Sequence, residues 1–438
     1  MSCRHTTLET GRGRDAQRAT WCQQFLASSA RASYIELIMK FGIDRLLSDP
    51  NLQGELAGKR LAVVGNPAST TDAMLPSLDA LMGSERLKPV ASFGPQHGMR
   101  GDKQDNMVES EDYLDPVHKI PVFSLYGEHR RPTDEMLASF DHLLFDLQDL
   151  GCRIYTYIST LKYFLEACAK NGKSIWVLDR PNPAGRPIDG MRLLAGQESF
   201  VGSDELTMRY GLTSGELAGW IVHKNKLSVE LKVIKLENYA PDAAPGFGWP
   251  IFDRPWVNPS PNASSLNMAR CFPGTVLIEG TSLSEGRGTT TPLECIGAPD
   301  IEINKIVAAM RQLSLDWMQG VHVRPCYFEP TFHKHQGSMC EAVQFHTDGP
   351  DYRHQIFKPY RLVALFLKAL RRVYPAYPLW RPPPYEYEET RLPIDVINGG
   401  PDLRLWVDDA SATVADLDER LNREEKEWQE ERAPFLLY

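Results

Sequence analysis

Several things are missing from this 438-residue chain. No stretch approaches the roughly 18 consecutive apolar residues of a membrane-spanning helix. The eight cysteines form no Cys-x-x-Cys pair and no framework-like spacing, so a disulfide scaffold is not expected, and the thiols read as buried or free in a reducing compartment. Basic residues are not in excess. A net charge of -9 argues against a nucleic-acid partner and favours an enzyme with a small or neutral substrate. The polar stretch from Met1 to about Ser33 has neither the apolar segment nor the cleavage site of a secretory signal, which predicts a cytoplasmic location. Residues 1–40 are read as a poorly structured leader.

What is present is ample apolar content. A hydrophobic fraction of 42% fills a proper core, and the length is two to three times that of a domain of about 100 to 200 residues, so two domains are expected. Arg60–Gly65, Pro89–Phe93, Pro121–Leu125, His142–Leu147 and Ser174–Leu178 read as apolar strands. Helices are expected at Thr70–Met82, Thr133–Phe140, Ser159–Asn171 and Ser214–Lys224, with a further strand at Leu231–Leu236. Strands alternating with helices of this length predict an α/β fold with a parallel sheet covered on both faces. Tyr239–Pro261, dense in Pro, Gly, Trp and Asn, reads as a long loop at a domain edge. Beyond it, a helix near Ile303–Met318, strands Val321–Tyr327 and Glu341–His346 and a helix Pro359–Val373 suggest a smaller α+β domain. The expected division is 41–263 for the sheet domain and 264–438 for the second.

Three of the strands run into polar loops: Gly94-Pro95-Gln96-His97-Gly98, Asp146-Leu147-Gln148-Asp149-Leu150-Gly151 and Asp179-Arg180-Pro181-Asn182-Pro183. Their side chains should gather in the crevice outside the carboxyl ends of the sheet. Asp149 is an acid, a base or an orienting group, or else closes an Asx turn with Arg153 as its ion pair. Arg153, Tyr155 and Tyr157 alternate as in an extended stretch and either floor a sugar site or join the core. Glu166 points away from the apolar stripe Leu161, Phe164, Leu165 and Cys168, and Lys162 and Lys170 flank it as in a solvated ion-pair ladder. Arg180 either holds a ligand carboxylate or makes a structural ion pair.

In the second half, Glu279 through Thr289 gathers two glutamates, Arg287 and several hydroxyls on a glycine-rich stretch. It lacks a Gly-Lys-Ser/Thr ending, and no Gly-x-Gly-x-x-Gly follows the first strand, so no nucleotide cofactor is expected. His333, His335, His346 and His354 lack paired acidic or cysteine ligands at helical spacing, and no metal is expected.

The order of these signatures, followed by Ser260-Pro261-Asn262, Pro273-Gly274-Thr275-Val276-Leu277-Ile278-Glu279-Gly280-Thr281, Gly286-Arg287-Gly288-Thr289-Thr290-Thr291-Pro292-Leu293-Glu294 and Pro383-Pro384-Tyr385-Glu386-Tyr387-Glu388, resembles the NamZ family of exo-β-N-acetylmuramidases. The resemblance implies a Rossmann-like N-terminal domain, a smaller C-terminal domain and a cleft between them. It also implies release of non-reducing terminal N-acetylmuramic acid from peptidoglycan fragments, with muropeptides as partners in cell-wall recycling. Of the family's two proposed catalytic glutamates, one aligns with Glu166 and the other with Gln96. A glutamine is no general acid or base, whereas glycoside hydrolysis normally uses a carboxyl pair. Either activity is lost, leaving a muropeptide-binding or sensor protein, or Asp149 or another carboxylate substitutes, or the position polarises the substrate acetamide. On this reading Glu166 is acid or base, with His97 and Asp149 assisting. Arg153, Arg180 or Arg287 would take the lactyl carboxylate, Asn182, Asn262 and Gln96 the acetamide and hydroxyls, with Tyr155, Tyr157 and Glu279 completing the site.

Overall fold

The computed structural model describes residues 38–103 and 107–438; the expected leader lies almost wholly outside them. Lys40–Tyr438 form one compact unit. Its centre is a sheet of β1 (Leu61–Val64), β2 (Pro89–Gly94), β3 (Tyr113–Leu114), β4 (Pro121–Ser124), β5 (His142–Phe145), β6 (Ser174–Leu178) and, later in the chain, β9 (Glu230–Ile234). The spatial order is β3-β4-β2-β1-β5-β6-β9, parallel throughout except for the two-residue edge strand β3. Counting the parallel strands alone, this is the 3-2-1-4-5-6 order of a doubly wound Rossmann-like sheet, whose winding reverses between β1 and β5. Every residue of β1 and β6 is buried, as a strand covered by helices on both faces requires.

The helices follow their local signals. Helix Tyr157–Asn171 buries Leu161, Phe164, Leu165 and Cys168 and ends at Gly172 with φ 62°. Helix Ser214–Lys224 opens with a Thr213/Glu216 capping box. Between Thr70 and Met82, however, only Ser77–Gly83 is helical, because Pro76 lacks an amide hydrogen and its ring obstructs the preceding turn. Arg153–Thr156 is a series of turns, not an extended stretch, and Tyr157 already belongs to the helix. Between them a short hairpin, β7 (Asp189–Arg192) with β8 (Thr207–Arg209), lies outside the main sheet.

The rest is the smaller α+β part. β10 (Cys295–Ala298), β11 (His322–Phe328) and β12 (Cys340–His346) form an antiparallel sheet in the order β10-β12-β11. Helix Pro359–Val373 stands where expected, and the expected single helix near Ile303–Met318 ends at Leu313 and resumes as a short 3-10 turn. Helices Leu266–Thr275 and Val414–Arg432 had no counterpart in the sequence reading. The last of these returns to the first half, where Trp428 Nε1 donates to Tyr210 O at 2.8 Å.

Two buried cations tie the layers. Arg180 donates to both oxygens of Asp146 at 2.8 and 2.9 Å, joining β6 to β5 behind the crevice. Arg153, fully buried, donates to the carbonyls of Met191, Leu206, Ile397 and Asn398, so one guanidinium satisfies backbone from both halves of the chain. Asp146→Ala leaves Arg180 buried without its carboxylate, and we expect a cost of about 3–5 kcal/mol. Urea unfolding should show this as a lower midpoint, and the paired change Asp146→Leu with Arg180→Met should recover most of the loss.

Candidate active site

The loop after β2 turns its polar side chains inward because its backbone is tightly folded. A Cβ on Gly94 would lie 2.7 Å from the Met99 amide nitrogen, so only glycine fits there. His97 and Gly98 follow with φ 69° and 76°. His97 Nδ1 donates to Lys103 O at 2.8 Å, which fixes that nitrogen as the protonated one. Gln96 faces the interior, where Thr156 Oγ1 donates to its Oε1 at 2.8 Å. The orientation of the amide is thereby set, and its Nε2 donates to Glu386 Oε1 at 3.1 Å.

Glu386 is the central carboxyl. Its other oxygen accepts from Tyr126 Oη at 2.9 Å, and the residue is 3% exposed. Burial pushes its pKa up to about 7; the hydrogen bonds from Tyr126 and Gln96 oppose the rise, and the nearby charge of Glu279 adds to it. Glu386 and its neighbour Tyr387 have φ 46° and 69°. Two successive non-glycine residues in the left-handed region cost of the order of 1–3 kcal/mol each, so the surrounding contacts hold them there.

Those contacts include a second acidic group. Glu279 accepts from Arg287 Nη2 at 2.6 Å and from Tyr385 Oη at 2.8 Å. Arg287 also faces Glu285 at 3.2 Å, and Lys334 approaches Glu285 at 2.6 Å. Burial alone would raise the Glu285 carboxyl, but Lys334, Arg287 and His333 outweigh it and hold it down, at about 2. Gln96, Tyr155, Asn262, Glu279, Arg287 and Glu386 line one cavity between the sheet edge and the α+β part. Its free volume is about 40 Å³, well below the roughly 300 Å³ of a ligand site. A sugar ring therefore requires its walls to part.

Of the other sequence candidates, His97 also reaches this cavity. The remaining six are placed elsewhere. Glu166 is on the outer face of its helix, 2.5 Å from Arg131 Nη1. Asp149 accepts from the Gly151 amide at 2.6 Å, an Asx turn, and from Tyr210 Oη; burial raises it to about 6. Its expected partner Arg153 is committed to backbone carbonyls instead, since four unpaired buried acceptors cost more than one carboxylate contact returns. Tyr157 donates to Pro259 O at 2.8 Å and so pins the Ser260-Pro261-Asn262 turn. Arg180 is held by Asp146, and Asn182 spans Ala184 and Leu212.

The sequence reading missed Glu386, Tyr385, Tyr126 and Thr156. One signal was available for the first two: an acid embedded between tyrosines directly after three prolines, a rigid, aromatic-rich setting unlike a solvated charge run. Among the described residues no group of three His, Cys, Asp or Glu side chains is arranged to hold a metal ion, and no helix is long and apolar enough to cross a membrane.

Residues 61–267 match the family model for the N-terminal domain of exo-beta-N-acetylmuramidase NamZ, and residues 270–438 match the model for its C-terminal domain. The chain is 39% identical over 341 residues, 77% of its length and 78% of the relative's, to the peptidoglycan beta-N-acetylmuramidase NamZ of Bacillus subtilis (strain 168). A crystal structure of a DUF1343 family protein from Bacteroides fragilis NCTC 9343 superposes with a TM-score of 0.77 at 27% identity, covering 92% of this chain and 99% of the other. A second DUF1343 family protein from the same organism gives 0.68 at 23%, with the same coverage, a likeness of fold alone.

The raised Glu386 pKa has a consequence for stability. Between the ordinary 4.5 and about 7 the folded chain binds a proton that the unfolded chain releases, so this group's contribution is lost as pH rises through that window. Glu386→Gln should raise the melting temperature relative to wild type at pH 8 and leave it unchanged at pH 4. Equal differences at both pH values would contradict the assignment.

Proposed function

The chain belongs to the exo-β-N-acetylmuramidase NamZ family, and on that footing we propose that it is a glycoside hydrolase releasing non-reducing terminal N-acetylmuramic acid from peptidoglycan fragments, with Glu386 as proton donor. The observation that carries this reading is the buried Glu386 carboxyl, hydrogen-bonded by Gln96 and Tyr126 in a cavity that also holds Glu279; burial there pushes its pKa up to about 7. A donor of that pKa is about half-protonated at neutral pH, where an ordinary glutamate is almost wholly ionised, and can pass its proton to the glycosidic oxygen as the bond to the anomeric carbon breaks. Glu279, fixed by Arg287 and Tyr385, is the second carboxylate, available to the positive charge that develops on the sugar.

In this reading Gln96 is a positioning residue. Where the family resemblance expects a glutamate, the amide donates to Glu386 and so orients the acid without competing for its proton. Asn262 and His97 line the same cavity and suit the acetamide and hydroxyls of the sugar. Arg287 is already shared between Glu279 and Glu285 and is a poor receptor for a further carboxylate. Glu166, ion-paired away from the cavity, takes no part in the chemistry.

The replacement of a carboxyl by Gln96 also favours a second reading, a muropeptide-binding or sensor protein that retains the cleft without turnover. A chromogenic muramide separates the two. Release of muramic acid by the wild type supports the enzyme, whereas binding without release supports the sensor. For the enzyme, Glu386→Gln should cost about 10²–10⁴-fold in kcat, and Glu166→Gln should stay within about tenfold of wild type; the reverse ranking would return the acid to Glu166. The proton donor also predicts that kcat/KM declines above about pH 7. Gln96→Glu sets a second carboxyl beside the first, and since two such groups resist ionising together, the declining limb should move to higher pH.

A further inference from the structure

Glu386 lines a second cavity as well. This outer space is about 420 Å³ and is walled by Arg130, Arg131, Tyr163, Phe200 and Tyr387, within the size range of small-molecule sites. The inner cavity holds little free space, whereas the outer one has room for a saccharide. An aromatic wall runs between them: Tyr126, the partner of Glu386, packs 5.7 Å from Phe200 and 5.9 Å from Tyr387, and Phe200 lies 6.3 Å from Tyr387. Such rings suit the apolar faces of pyranose sugars.

The charges on the wall are unequally committed. Arg131 is paired with Glu166 at 2.5 Å and sits 3.8 Å from the centre of the Tyr163 ring. Glu388 is paired with Arg391 at 2.5 Å, and Glu128 is 90% exposed at its side chain. Arg130 sits 3.9 Å from the centre of the Tyr387 ring and pairs with no carboxylate among the described residues. A guanidinium held over an aromatic ring is pre-organised, and its N–H fork matches a carboxylate.

Resting on the muramidase reading, we propose that the outer cavity is the subsite for the leaving portion of the substrate and selects a leaving group that carries a carboxylate, bound by Arg130. The shared position of Glu386 is what such a subsite needs, since the proton donor must stand between the sugar being released and the group that departs. Muramyl saccharides supply that chemistry, because the lactyl ether of a following muramic acid ends in a carboxylate.

The experiment compares two substrates: a muramic acid–N-acetylglucosamine disaccharide, with a neutral leaving group, and the trisaccharide extended by one muramic acid. Wild type should show a KM about tenfold lower for the trisaccharide, the scale of one charge-assisted contact. Arg130→Gln should erase that preference, and Arg130→Lys should keep part of it. A wild type without preference, or one whose preference survives Arg130→Gln, overturns the proposal. If wild type cleaves neither substrate, the enzymatic reading fails by itself, and calorimetric titration with an N-acetylglucosamine–muramic acid disaccharide then decides the subsite. Roughly tenfold weaker binding by Arg130→Gln supports it, and equal binding overturns it.

Discussion

The Glu386 carboxyl, clamped between Gln96 and Tyr126, joins two segments 290 residues apart in the chain. Both partners hang on loops that follow strands of the main sheet, and Glu386 is on a strap from the α+β part. Closing this contact defines the cavity, buries the carboxyl and raises its pKa in one step. It also holds a strained backbone in place. The strap is anchored on one side by Tyr385 to Glu279 and on the other by Arg391, which reaches the Gln197 carbonyl at 3.0 Å. A buried acid near neutrality and a left-handed non-glycine pair both reduce stability, so the site concentrates costs that the large apolar core offsets.

A different principle governs the rest of the crevice. Most of its charged side chains do not face a ligand. Arg180 and Asp146 neutralise one another beneath the loops, and Arg186 pairs with Glu216 just beyond them at 2.5 Å. Asp179 accepts from Thr213 at 2.7 Å and from the Gly215 amide at 2.8 Å. Loops that pack this closely bury backbone groups which no strand or helix satisfies, and side-chain donors and acceptors take over that task. Polar density at a strand edge therefore marks where a crevice is, and only burial and partners distinguish its floor from its working surface.

The two cavities that meet at Glu386 differ in size and lining. The inner one is tight and carries the carboxyl groups of Glu279 and Glu386, and the outer one is roomier, aromatic and lined by charges of both signs. Although the chain carries a net charge of -9, the outer cavity holds the Arg130 guanidinium over the Tyr387 ring. Glu166 holds Arg131 at the outer cavity and lines neither cavity itself.

The parallel sheet, most of its covering helices and the location of the crevice were legible in the sequence. Apolar runs such as Leu61–Val64 and caps such as Thr213 and Gly172 act over a few residues, so their consequences are local and read directly. Family signatures likewise carried the resemblance. The strand order and the roles of individual polar residues were decided only in three dimensions. Hydrogen-bond satisfaction assigned Arg153 to carbonyls and Arg180 to Asp146, although both carry the same guanidinium as Arg130. Periodicity placed Glu166 away from its helix's apolar stripe but was silent on what lay beyond that face. Glu386 became an acid of raised pKa through burial against residues nearly three hundred positions away, and desolvation by such distant neighbours leaves no trace in the local pattern of a chain.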